Sequence, residues 1–492
     1  MRRFANLLAA GIVLVGFFGS VGADEVDWNA TLPAADIIAD LDALYGGLKR
    51  AHANNYANRS RAEYDAYFNE LRESIDAPMR RFDAQLLLQR FAAFGNVAHA
   101  RIEFPDAAYD AFRAAGGKSL PIYLRIVDGV AYVGENYSGN PAIRQGDEIV
   151  ALDAVPMAVW LERVSAHISA DTPYIAHSLL EFTFPRDLWA VAGEQEEFVL
   201  SLRRDAKPFH AVVKAATREA QQAAAAAQPS GFTLDTDKRS FQLLDDGVAY
   251  LRPGPFYNVE NLAQPWENSA FVAFIDRAFE AILDNRTTDL VIDLRQNPGG
   301  DNSFSDPMLA WIADEPFRFC SAFFIRSSDE AEASNAARLA ANPNGANSVS
   351  ALFARQYAAT PRGEMFEFDI PLAQPRDGRR YDGRVYVLVN RHSYSNAVNV
   401  AAMVQDYKLG RVVGEKTSDM ATTYGAMEQF SLPNSGIQVG FPKAHIIRPS
   451  GDTRPDGVTP DWPIASPITV TSDDVVLEML IAKIRSGSVN KR

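Results

Sequence analysis

Two short runs, "DLVIDLR" at 289–295 and "RVYVLVN" at 384–390, are apolar almost without interruption. A strand that is apolar on both faces belongs inside a sheet covered on both sides, the usual situation of parallel strands in an α/β fold. Each run breaks into a polar turn and then a helical pattern. After the second, Ala397, Val400, Ala401 and Val404 recur at i, i+3, i+4 and i+7, which predicts a helix with one buried face. From 241 onward strand-like runs such as "VAYLRP" alternate with helix-like ones such as 271–283, 307–312 and 397–404. The expectation is an α/β core over 241–470, closed by a C-terminal helix at 471–492.

The chain has 492 residues, long enough for two or three domains. Residues 31 to about 95 carry apolar residues at helical spacing, as in Ile37, Leu41, Leu44 and Leu48. They predict a helical region over 24–115 that also holds "GNVAHARIEF" at 95–104. A stretch of short strands follows over 118–215, with Asp128-Gly129 as a hairpin turn. Residues 216–240 are rich in alanine and glutamine and read as a helical connector. Residues 328–350, rich in Ser, Ala and Asn, read as a surface insertion.

The first 23 residues carry a secretory pattern. Arg2 and Arg3 precede an apolar stretch from Leu7 to Phe18, and Val21-Gly22-Ala23 resembles a cleavage site. That stretch is short of the roughly 20 residues a membrane span takes. Export to the periplasm or the extracellular space is expected, with no stable membrane insertion after cleavage. The net charge of −14 excludes a phosphate-binding, nucleic-acid role. Cys320 is the single cysteine and sits in an apolar run, the setting of an inert thiol. No cluster of His and Cys has zinc spacing, so no metal or cofactor is implied.

Two loops carry chemistry. In the first, Asn297-Pro298-Gly299-Gly300 follows a buried strand. Glycines let backbone N–H groups approach a ligand, which suits an oxyanion hole, although a plain tight turn reads equally well. In the second, Ser395 falls at the first turn of a helix. It can cap that helix, or it can use the unpaired N–H groups and the positive end of the dipole there as a nucleophile.

As a pair, "DLVIDLRQNPGGD" and "VLVNRHSYSNAVNVAAMVQDYKLGRVVGEKT" resemble the tail-specific (C-terminal processing) serine proteases and the related tricorn core. "GNVAHARIEF", "IRQGDEIVALDAVP" and "GVTPDWPI" resemble further family segments, so the resemblance spans most of the chain. It implies a ClpP/crotonase-like α/β catalytic core, an N-terminal helical region and a PDZ-like β-rich domain over 118–215. It implies a serine peptidase acting on a polypeptide. For the PDZ-like region, capture of a peptide by its C-terminus and simple bracing of the core both stay open.

The resemblance places the nucleophile at Ser395, with the backbone N–H groups of Gly299 and Asn396 as oxyanion donors. The processing proteases pair the serine with a lysine, but that position here is Met420. The tricorn-like branch uses a histidine, and the matching residue is His99, a suitable general base. His392 is a rival base. The acid that should orient His99 matches Arg454, so Asp456 enters only as a nearby substitute, with Asp452 beside it. Two alternatives stand beside the exported Ser–His endopeptidase: a non-catalytic peptide- or lipid-binding member of the fold, and an esterase.

Overall fold

The computed structural model describes residues 26–227, 238–341, 348–469 and 474–486. The expected leader at 1–23 lies outside them, as do residues 228–237 of the connector. The two apolar runs form adjacent parallel strands, Asp289–Asp293 and Arg384–Val389, with Leu290 opposite Val385 and Ile292 opposite Val387. They occupy the middle of a six-stranded sheet. Val248–Arg252 flanks them on one side; Arg411–Gly414 and Trp462–Pro463 extend the other, all parallel. Ser240–Leu243 closes one edge antiparallel.

Period-two alternation explains why these strands are apolar throughout. Leu290, Ile292, Val385, Val387 and Val389 face one core. Val291, Tyr386 and Leu388 face the other, where Val476, Leu480 and Ile484 of the helix Val475–Arg485 cover them. A second, antiparallel sheet has the order Met365–Glu367, Ala322–Arg326, Gln438–Ile447, Thr423–Ser431.

The N-terminal helices are Ala34–Ala51, Arg61–Ser74 and Arg81–Ala93. Ser60 starts the second with a reciprocal capping box to Glu63. They do not form a separate core. Leu41, Leu44 and Phe91 share one hydrophobic cluster with Val439 and Phe441 of the second sheet. Asp40 accepts the N–H groups of Asn434 and Ser435 at 2.9 and 2.8 Å. A side chain at Gly47 would strike the ring of Phe430 at 2.3 Å, so the present helix–sheet packing uses the room that glycine leaves.

The β-rich region does have its own core, built on strands in the order Ile122–Val127, Val130–Asn136, Glu148–Leu152, Glu197–Arg204, Lys207–Lys214. Asp128 and Gly129 turn the first hairpin with φ of 50° and 80°, the paired positive angles of a tight two-residue loop. Helices Met157–Ser165 and Pro173–Ala192 pack on this sheet.

The expected surface insertion is corrected. Its described residues belong to helices Asp329–Ala341 and Val349–Ala359. Ala331, Phe353 and Tyr357 are buried in the main cluster, and the buried Asn335 amide donates to the Ser350 carbonyl. Its small polar residues line a packing interface. Among the described residues no helix is long and apolar enough to cross a membrane.

Candidate active site

The strand Arg384–Val389 delivers the chain into a turn that the neighbouring loop clamps. Leu294 N–H donates to the Leu388 carbonyl at 2.8 Å, Tyr394 N–H to the Asn297 carbonyl at 2.9 Å, and the Ser393 hydroxyl to the Leu294 carbonyl at 2.8 Å. Ser393 is buried and structural. Ser395 is different. It is the residue before the helix Asn396–Asp406, with φ 52° and ψ −121°, and its side chain makes no capping hydrogen bond. A non-glycine residue in that conformation is strained, and such strain gathers at functional turns between strand and helix. Ser395 is half-buried and lines a cavity of about 420 Å³.

The glycine loop meets this turn directly. A side chain built on Gly299 would lie 2.6 Å from the Tyr394 carbonyl, 2.7 Å from Asn396 N and 2.8 Å from Ser395 Cβ. Gly299 has φ 85°, so glycine answers both a steric and a conformational demand. Its N–H, however, donates to the Asn297 side-chain oxygen at 2.9 Å. The expected donor is therefore engaged inside its own loop, because Asn297 folds its carboxamide back while also donating to the Gly254 carbonyl at 2.7 Å. Gly300 is the glycine of this loop that lines the cavity, and Asn396 lines it too.

His99 opens onto the same cavity. Its ring stacks on Tyr394 with centroids 5.4 Å apart, and it hydrogen bonds the backbone of Tyr424. Nδ1 is buried without a hydrogen-bond partner among the described residues. Burial, and then the Arg101 guanidinium, hold the imidazole down at about 3, so it is neutral at ordinary pH. A neutral ring with an open nitrogen can accept a proton.

The remaining candidates lie elsewhere. Asp456 is exposed, 2.6 Å from Lys416 Nζ, and accepts the Gly457 N–H at 2.9 Å; it does not line the cavity. Asp452 is taken by Arg454 through both carboxylate oxygens. Arg454 within the "PSGDTRPDGV" turn and Lys416 outside it thus engage these two acids, and Asp456 as the orienting acid is corrected. His392 is buried 2.8 Å from Glu181 and packs on Phe182, not in an exposed turn. Met420 is buried at the lysine position. Lys443 does line the cavity, but its Nζ lies 2.6 Å from the buried Glu428 carboxylate. Burial raises the Cys320 thiol to about 12, which leaves it unreactive.

Two acids beside the site escaped sequence reading. Asp419 accepts the Ser395 N–H at 2.6 Å, and Asp171 accepts the Ala98 N–H at 3.0 Å. Asp419 stands next to the vacated lysine position and Asp171 just before a helix, and nothing in the pattern of either segment marks them.

Residues 266–464 match peptidase family S41. No curated protein matches the chain in sequence. Among solved structures, mature CPAF complexed with lactacystin is 17% identical at a TM-score of 0.62, covering 92% of this chain and 99% of that one. Mature CPAF alone is 16% identical at 0.61, covering 93% and 99%. The photosystem II D1 C-terminal processing protease is a looser likeness, 16% identical at 0.44, covering 90% and 96%. The CPAF likeness spans the helical, β-rich and α/β parts together and marks a shared fold. On the sequence match and the convergence of the two loops, residues 266–464 are a domain of peptidase family S41, a serine-type peptidase domain.

Proposed function

We propose that the protein is an exported endopeptidase in which Ser395 attacks a peptide carbonyl and His99 takes its proton. The observation that carries this reading is the cavity itself. Loops about a hundred residues apart meet there around a strained, uncapped serine, with a neutral imidazole lining the same cavity. The tetrahedral oxygen would rest on the N–H groups of Asn396 and Gly300, in place of the engaged Gly299. His99 would return its proton to the leaving amine, and water would release the acyl-enzyme. The Tyr424 backbone, rather than Asp456, would hold the ring. Phe319, Phe323, Phe353 and Ile370, which also line the cavity, suit an apolar substrate side chain. The β-rich region 118–215 is read as PDZ-like. Export, to the periplasm or outside the cell, is supported by the leader pattern at 1–23.

Ser395→Ala is expected to lower peptide turnover by about 10⁴-fold or more while the unfolding midpoint stays unchanged. Wild-type turnover in that variant refutes the proposal. The unoccupied role of orienting acid favours one second reading, a non-catalytic peptide- or lipid-binding member of the fold. A fluorophosphonate that fails to label Ser395 in folded protein would favour it.

A further inference from the structure

Both halves of the proposed Ser–His pair hang, through their backbones, on carboxylates that the chemistry above does not use. Asp419 Oδ2 accepts the N–H of Ser395 at 2.6 Å. Asp171 Oδ2 accepts the N–H of Ala98, the residue before His99, at 3.0 Å. Asp419 is fully buried, and its Oδ1 has no hydrogen-bond partner among the described residues. A fully buried carboxylate is costly, and its position directly behind the nucleophile gives that cost a role. We infer that Asp419 is a positioning residue: its ionised carboxylate holds the Ser395 peptide in its left-handed conformation. The inference rests on Ser395 being the nucleophile.

The groups facing Asp419 set its charge. Asp171 opposes ionisation; the N–H groups of Ser395 and Met420 and the Arg101 guanidinium favour it, and the Tyr394 phenol stays protonated throughout. Arg101 is itself held by Glu103 at 2.6 Å, and the His99 ring lies against Tyr394. Burial first, and then Asp171, push the Asp419 carboxyl up to about 7. Burial pushes Asp171 up to about 6. The His99 ring, down at about 3, keeps one charge state while these acids titrate. A charged acceptor grips an N–H more strongly than a neutral one, so ionised Asp419 is the working form.

The test is the rate at which a fluorophosphonate labels Ser395 in the full chain, followed across pH, with the labelled residue located by mass spectrometry. In wild type the rate is expected to rise as pH climbs through about 7. Asp419→Asn keeps an acceptor for the Ser395 N–H but cannot ionise. It should erase that rise and leave a rate about tenfold lower on the alkaline side. Asp171→Asn removes a neighbouring negative charge. It should move the rise to lower pH, and it remains informative if Asp419→Asn unfolds. A rise that survives unchanged in Asp419→Asn, or does not move in Asp171→Asn, overturns the inference while the nucleophile stands. Absence of Ser395 labelling in wild type removes the nucleophile and this inference together.

Discussion

Gly299 and Ser395 are two halves of one steric arrangement. The serine takes a positive φ that a side chain resists, and the glycine opposite leaves room for it. Gly299→Ala would force a methyl group to within 2.6 Å of the Tyr394 carbonyl and 2.7 Å of Asn396 N. Neither is the movable end of a flexible side chain. The variant is expected to lose about 1–3 kcal/mol from backbone strain, more if the loop cannot shift. It should also lose fluorophosphonate labelling at Ser395. Urea denaturation beside a labelling time course would check both, and full labelling would show that the loop does not shape the site.

Among elements, the legible ones are those whose packing follows a simple period. The strands Asp289–Asp293 and Arg384–Val389 and the helix Asn396–Asp406 were readable because β-branched runs and i, i+3, i+4 spacing report burial directly. The helices Asp329–Ala341 and Val349–Ala359 were not, because they meet the second sheet through charge and small residues. Arg338 grips the buried Glu428, and Ser334 donates to the same carboxylate at 2.6 Å. In a linear sequence that interface looks like solvent. The sequence singled out Ser395 through its motif and His99 through its segment, and both line the cavity, whereas Asp419 and Asp171 are single acids that only the fold brings beside them. The second helix supplies Phe353 to the cavity wall. Phe353→Ala should cost about 3–5 kcal/mol of stability. It should also raise KM for substrates with a large apolar side chain more than it lowers kcat. Steady-state kinetics on a peptide series varying that side chain would check this, and an unchanged preference would place the substrate elsewhere.

At the scale of the whole molecule, a buried ion cluster bolts the β-rich region to the core. Arg125 and Glu181 come from the former, Arg391 and Glu415 from the latter. Glu181 lies 2.8 Å from Arg125 and 3.0 Å from Arg391. Burial alone would raise the Glu181 carboxyl, but His392, Arg125 and Arg391 outweigh it and hold the group at about 2. A depressed carboxyl contributes stability that is present above its ordinary value and is lost as pH falls toward about 2. Glu181→Gln should therefore cost about 3–5 kcal/mol at neutral pH, since it strands buried arginines. The gap from wild type should narrow as the solution is acidified. Chemical denaturation at several pH values is the measurement, and a constant gap would mean that Glu181 does not carry the coupling.

His99 belongs to a segment whose next-but-one residue, Arg101, is laced to Gly440 by backbone hydrogen bonds of 3.0 and 2.7 Å. The helices ahead of it rest on that same late strand. A ribosome must therefore finish nearly the entire message before the early third of the polypeptide has anything to lie on. Copies that stop short of residue 440 leave the segment carrying His99 without the backbone partner that fixes it.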